Sequence, residues 1–178
     1  HAALGATGMA LFAWFIAPVI IVTGGMLVLA GVLQFIRLAR WRGLRTVSDP
    51  LVLVLHVGYL WIPLGLLLLG ISMFDPTIPR TAAIHALTTG AMATMILAVM
   101  TRATLGHTGR ELRANAATIA IFVFITLAAI IRVAASLGFV VYRTGMEIAG
   151  GLWVVAFLLF LFIYGPILFR ARLGKEAG

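Results

Sequence analysis

LVLVLHVGYLWIPLGLLLLGISM, residues 51–73, decides the fold class. The stretch contains no Asp, Glu, Lys or Arg. As a helix rising 1.5 Å per residue it reaches roughly 35 Å, enough to cross a hydrocarbon core of ~30 Å. Four comparable runs accompany it, over about 9–35, 82–105, 114–135 and 146–169. All five are expected to be helices, because in lipid only helices and closed barrels satisfy their own backbone. The runs are too long and too uniformly apolar for barrel strands. The expected fold is therefore an all-α, polytopic transmembrane bundle of five spans, forming one domain over residues 1–178.

Composition agrees. Of the 178 residues, 63% are hydrophobic and 10% charged, against roughly 25% charged in a soluble domain. There is no cysteine, which removes disulfides, thiolate metal sites, iron–sulfur clusters and cysteine nucleophiles. The net charge of +8 does not indicate nucleic acid, because no basic arm or aromatic–basic platform is present. In a membrane protein such cations gather in loops on the cytoplasmic side. Ten of them (Arg37, Arg40, Arg42, Arg45; Arg102, Arg110, Arg113; Arg170, Arg172, Lys175) follow the odd-numbered spans. Three (Arg80, Arg132, Arg143) fall on the other side. That split places the N-terminus outside and the C-terminus in the cytoplasm. No signal peptide precedes the first span, and a chain opening on His1 reads as a fragment of a longer protein.

The breaks carry turn chemistry. Ser48-Asp49-Pro50 offers an N-cap followed by proline in the first turn of the second span. Pro18 and Pro63 lie inside the first two spans and are expected to kink them. Gly106 and Gly109 permit the positive φ of a tight, ordered turn over 105–113, with Arg102 available to cap the carbonyls before it. On this reading Gly106→Val destabilises the protein. Gly24-Gly25, Thr23 and Gln34 read as helix-packing devices. Trp14, Trp41, Trp61, Trp153, Tyr142 and Tyr164 read as interface anchors, and Glu147 as a partner for Arg132 or Arg143.

Ionisable groups inside a membrane are costly and become functional candidates. His56 lies among apolar neighbours, with Gly58 and Gly65 leaving room for a flat group or for close helix contact. His85 opens the third span, followed by Thr88, Thr89 and Met92. Each histidine is either a hydrogen-bonded packing residue or a ligand, since a neutral imidazole suits haem iron, copper or zinc. Met92 is a weaker candidate, because methionine in a membrane helix commonly just fills space. His107 with Arg102 and Arg110 forms a polar group at a turn, either solvated or suited to an anion such as a haem propionate. Spans two and three enter from opposite sides, so His56 and His85 differ in depth by ~20 Å and are poor partners for one metal. His56 and His107 share a side and are able to meet.

The stretch HALTTGAMATMILAVMTRATLGHTGR, residues 85–110, resembles the signature of the NnrS family. PLVLVLHVGYLWIPLG, residues 50–65, resembles the segment before it. Gly151-Leu152-Trp153 with Tyr164-Gly165-Pro166 resembles the family's last span. The likeness runs in order along nearly the whole chain. It implies a bacterial inner-membrane protein that contains haem and copper. It also implies a link to denitrification, nitric oxide and nitrosative stress, without a settled reaction. It makes His56, His85 and His107 the natural ligand candidates. Family members are considerably longer, so the chain is expected to be their C-terminal part, partnered in the bilayer by the missing N-terminal spans. A small bis-histidine electron-transfer cytochrome and a non-catalytic membrane scaffold remain as alternatives.

Overall fold

The computed structural model describes residues 2–18, 20–41 and 43–170. These form six helices: α1 (Ala2–Ile16), α2 (Ile21–Arg40), α3 (Pro50–Ile71), α4 (Arg80–His107), α5 (Ala116–Ser136) and α6 (Tyr142–Leu168). A short 3₁₀ turn, Gly43–Thr46, joins α2 to α3. No strand occurs among the described residues. Helices α2 to α6 are each long and apolar enough to cross a membrane, so the protein is the expected all-α bundle with five such helices.

The first expected span is the exception. The run over 9–35 is two helices, not one kinked rod. Proline has no N–H and its ring clashes with the preceding turn, and around Pro18 the helix stops and the chain reverses. Thr23 Oγ1 donates to Ala17 O at 3.1 Å across the reversal. Further along, Gln34 Nε2 donates to Thr7 Oγ1 at 2.8 Å, so α1 runs back antiparallel to α2. Thr23 and Gln34 are packing polar groups, as expected. Of the glycine pair only Gly24 is a close-packing device, with a notional Cβ 2.9 Å from the Phe74 ring, whereas Gly25 faces open space.

This hairpin also corrects the expected topology. Ala2 and Ala3 line the same pocket as Arg37, Arg40 and Trp41. The start and the finish of the described chain therefore lie at one end of the bundle, not at opposite ends. That end, here the arginine end, carries Arg37, Arg40, Arg102, Arg110, Arg113 and Arg170, with Arg45 in the Gly43–Thr46 turn. Arg80, Arg132 and Arg143 lie toward the far end. The predicted split of cations thus holds for the described residues. Arg42, Arg172 and Lys175 lie outside them.

Helix ends follow local chemistry. Asp49 caps α3, its Oδ1 accepting from Leu51 N at 3.0 Å and Val52 N at 3.3 Å, with Pro50 in the first turn. Asn115 caps α5 by accepting from Thr118 N at 2.8 Å. The turn after α4 is ordered as expected. Arg110 N donates to Leu105 O at 2.9 Å and Gly109 N to Gly106 O at 3.3 Å, the paired bonds of a Schellman ending. The residue that needs glycine there is Gly109, at φ 72°. Gly106 is helical with open space around its Cα, so the expected damage from Gly106→Val belongs at Gly109 instead.

Packing between α3 and α4 relies on small residues, as membrane helices require when lipid is as apolar as leucine. A Cβ on Gly65 would stand 2.5 Å from Leu87, one on Gly58 2.9 Å from Met95 Sδ, and one on Gly90 2.5 Å from the Trp61 ring. The room beside Gly58 and Gly65 is thus filled by the neighbouring helix. Two expected interface anchors belong to this interior. Trp61 is 9% exposed and lies on Gly90; Tyr164 is 2% exposed and hydrogen-bonds Thr118 Oγ1 at 2.6 Å. Trp41 and Tyr142 stay exposed near the ends, as anchors should. Glu147 pairs with Arg143, at 2.9 Å on the surface.

Inside α4, residues Ala86–Ala93 are π-helical, between α-helical stretches Arg80–His85 and Thr94–His107. Such wide turns are rare and concentrate at functional sites. This one begins immediately after His85.

Candidate functional site

His56 sits on the second turn of α3, just inside the arginine end. Its Nδ1 lies 3.0 Å from Val52 O. A carbonyl only accepts, so Nδ1 is the donor, and Nε2 has no hydrogen-bond partner among the described residues. The Trp41 ring meets the imidazole edge-on, with centroids 6.0 Å apart. On another side the backbone of Gly43 presses close, because a Cβ there would stand 2.7 Å from His56 Cδ2. Trp41 also packs on Tyr59 at 4.6 Å. The Arg37 guanidinium lies 5.2 Å from the Trp41 ring and 5.8 Å from that of Tyr59. Tyr59 in turn donates to Gln34 Oε1. A half-buried imidazole is thus held by an aromatic pair, a bare glycine and a stacked cation. Arg37 and Arg40 also open onto a cavity of about 520 Å³.

The other two histidines stand apart from it. Contacts between α3 and α4 pair Gly58 with Thr94 and Met95, Trp61 with Gly90, and Gly65 with Leu87. In that antiparallel register His85 lies level with residue 67 of α3, eleven residues from His56, or about 16 Å along the axis. His107 lies a similar distance beyond His56 in the opposite direction, exposed at the arginine end. The expected depth gap between His56 and His85 is therefore present. His56 and His107, which a shared side would allow to meet, do not: a shared side does not mean a shared level.

His85 is half-buried and has Arg132 of α5 within electrostatic reach. A neighbouring cation opposes a metal ion at that imidazole. Met92 does not join His85. The π segment breaks the 3.6-residue arithmetic, and Met92 lines a lipid-facing groove with Thr88, Thr89 and Trp153. Arg102 and Arg110 are half-buried. Nη1 of Arg110 is enclosed yet bonded to nothing among the described residues. No group of three His, Asp or Glu side chains converges as a metal cage among the described residues.

The family described as NnrS protein matches residues 1–172. The chain belongs to the NnrS family. That membership makes it a membrane protein related in general terms to nitric oxide. No curated protein matches it, and no solved structure does.

For this NnrS chain, reading residues one by one found His56 but missed its surroundings. By type Trp41 reads as an interface anchor, Arg37 as a topological charge and Gln34 as helix packing, while Gly43 and Tyr59 carry no signal of their own. A signal for the first pair was present: Arg37 and Trp41 are four apart on one helical face. Nothing in the spacing joins them to Tyr59 and His56, because that contact depends on how the α2–α3 connection folds back.

Proposed function

We propose that this NnrS chain forms part of a haem- and copper-containing protein of the bacterial inner membrane, serving nitric oxide metabolism and tolerance of nitrosative stress, with His56 as a haem ligand. The carrying observation is the Nδ1 contact of His56 with Val52 O at 3.0 Å, which leaves Nε2 as the ring nitrogen that could take a metal. A backbone carbonyl behind the second ring nitrogen is the usual support for a ligating imidazole. A single histidine suits haem iron, whose proximal ligand is often one imidazole. Copper ordinarily needs more protein donors than His56 alone supplies.

When bound, the iron supplies a position at which nitric oxide coordinates. The chain's own residues do the rest. Val52 O holds Nδ1, Trp41 and Gly43 bear on the ring, and Arg37 would supply positive charge to an acidic substituent of a bound group. His85, His107, Arg102 and Arg110 serve as further candidates, with copper ligation at His85 opposed by Arg132. The remaining donors come from further spans of the same protein. The arginine end faces the cytoplasm, following the positive-inside rule. This places both Ala2 and Arg170 on that side, and reporter fusions at the two positions test it.

The absorption spectrum and metal content of the purified protein, expressed with haem supplied, test the ligand assignment. A Soret band is expected, and His56→Ala should abolish it while His85→Ala retains it. Gly43→Ala, which crowds the ring, should reduce haem retention without removing the donor. Full haem stoichiometry in His56→Ala overturns the assignment.

A further inference from the structure

Between α3 and α5 lies a groove that the reading above does not use. Its cavity volume is about 250 Å³, and its walls are almost wholly apolar. Leu53 and Val57 form one wall, Phe122, Val123 and Leu127 the other. The single hydroxyl on its lining, Thr126 Oγ1, is turned onto Phe122 O at 2.7 Å and so offers nothing polar to an occupant. At the arginine end the groove runs up to Pro50. A second cavity of about 330 Å³, between α4 and α6, shares no lining residue with it. At Pro50 itself a polar recess of about 320 Å³ begins, lined by Ser48, Asp49, Leu112 and Arg113. Both linings include Pro50, so the polar recess adjoins the apolar groove there.

We infer that this groove holds one acyl chain of an anionic glycerophospholipid from the surrounding bilayer, with the headgroup at Arg113. Length favours a lipid chain over a protein helix. From Ile119 to Leu127 the groove extends about 12 Å, well under the ~30 Å that a crossing helix would occupy, and within one leaflet. Charge favours an anionic headgroup. Arg113 is exposed and makes no ion pair among the described residues, whose one such pair is Arg143–Glu147. Asp49, the acid at the mouth, has its Oδ1 occupied by the amides of Leu51 and Val52. Basic recesses between membrane helices are where anionic headgroups bind. This inference is independent of any metal at His56.

Native mass spectrometry of the full chain in detergent tests it, with phosphatidylglycerol and phosphatidylcholine of equal acyl length added separately. Phosphatidylglycerol should be held about fivefold more tightly, the effect of one arginine at a membrane surface. Arg113→Gln should erase that preference while leaving phosphatidylcholine unchanged. Val123→Phe, which fills the groove from its lipid-exposed side, should weaken both lipids. Val154→Phe, on the lipid face of α6, should alter neither, and a melting curve shared by all three variants shows that each is folded. Equal retention of the two lipids by the unaltered chain overturns the headgroup assignment. Unchanged retention in Val123→Phe overturns the groove itself. A dimer that dissolves in Val123→Phe would overturn the lipid in favour of a second copy of the chain.

Discussion

Helices α4 and α6 are nearly equal in length and both apolar, yet half of the membrane window of α4 is buried against 17% of that of α6. The difference lies in how each uses its faces. Helix α6 buries one stripe, Gly145, Ala149, Ala156, Phe160 and Tyr164, against α5 and the core. These residues recur at four- and seven-residue steps, the narrow seam of a two-helix contact. Its remaining circumference is Ile, Val, Leu and Phe open to lipid. Helix α4 is surrounded, and it is also the helix with the π segment and with glycine under a tryptophan. Hydropathy passes both helices as spans, at 1.7 for α4 and 2.3 for α6, and does not say how each is enclosed. Small residues and buried threonines separate them.

The sharpest break of that comparison is a methyl group. Gly90→Ala should cost about 2 kcal/mol, because the new Cβ would stand 2.5 Å from a buried Trp61 ring with little room to move. Gly151→Ala in α6 meets nothing within 4 Å and should stabilise by about 0.5 kcal/mol through helix propensity. Thermal melts in one detergent compare them directly. Equal shifts would mean that α4 is no more enclosed than α6.

A smaller effect tests the end of α4. Gly109→Ala should cost about 1 kcal/mol, since its φ of 72° strains any side chain, whereas Gly106→Ala should be neutral or mildly stabilising. The same melts read both. If the two costs are reversed, the turn closes differently. Next comes the buried stripe of α6. Tyr164→Phe removes the 2.6 Å bond to Thr118 and should cost about 0.6 kcal/mol, the usual worth of such a bond between membrane helices. The smallest effect belongs to the loop that enters α4. The Thr77 hydroxyl at 2.7 Å, then its amide at 2.8 Å, hold the Asp75 carboxyl below the ordinary carboxylate range. A depressed folded-state value stabilises above the unfolded-state pKa and is lost as pH falls through the folded one. An acid titration of stability should therefore lose a small increment in Thr77→Val relative to the parent.

The residue pattern made much of this legible. The spans, the Asp49 cap, the glycine-rich ending of α4 and the axial distance between His56 and His85 all follow from local arithmetic along one chain. What escaped it was decided between helices. Pro18 in an apolar run is compatible with either a kink or a reversal, and the choice depends on whether Gln34 finds Thr7. Trp61 and Tyr164 look like anchors by type, and only the neighbours Gly90 and Thr118 make them interior. The π segment leaves no mark that spacing rules detect. The candidate site was visible as one histidine and hidden as a set, because its other members enter from α2 and the Gly43–Thr46 turn.

The hairpin of α1 and α2 bears on how the protein enters its bilayer. Helix α1 packs along α2 through Ala10, Leu27 and Ala30. Helix α2 carries in Gln34 an amide that hydrocarbon would penalise if unmatched. Each helix supplies what the other lacks: α2 gives α1 an apolar wall, and the Thr7 hydroxyl of α1 accepts from the Gln34 amide. The unit handed to the membrane is therefore the pair, committed together, with Pro18 as the fold line.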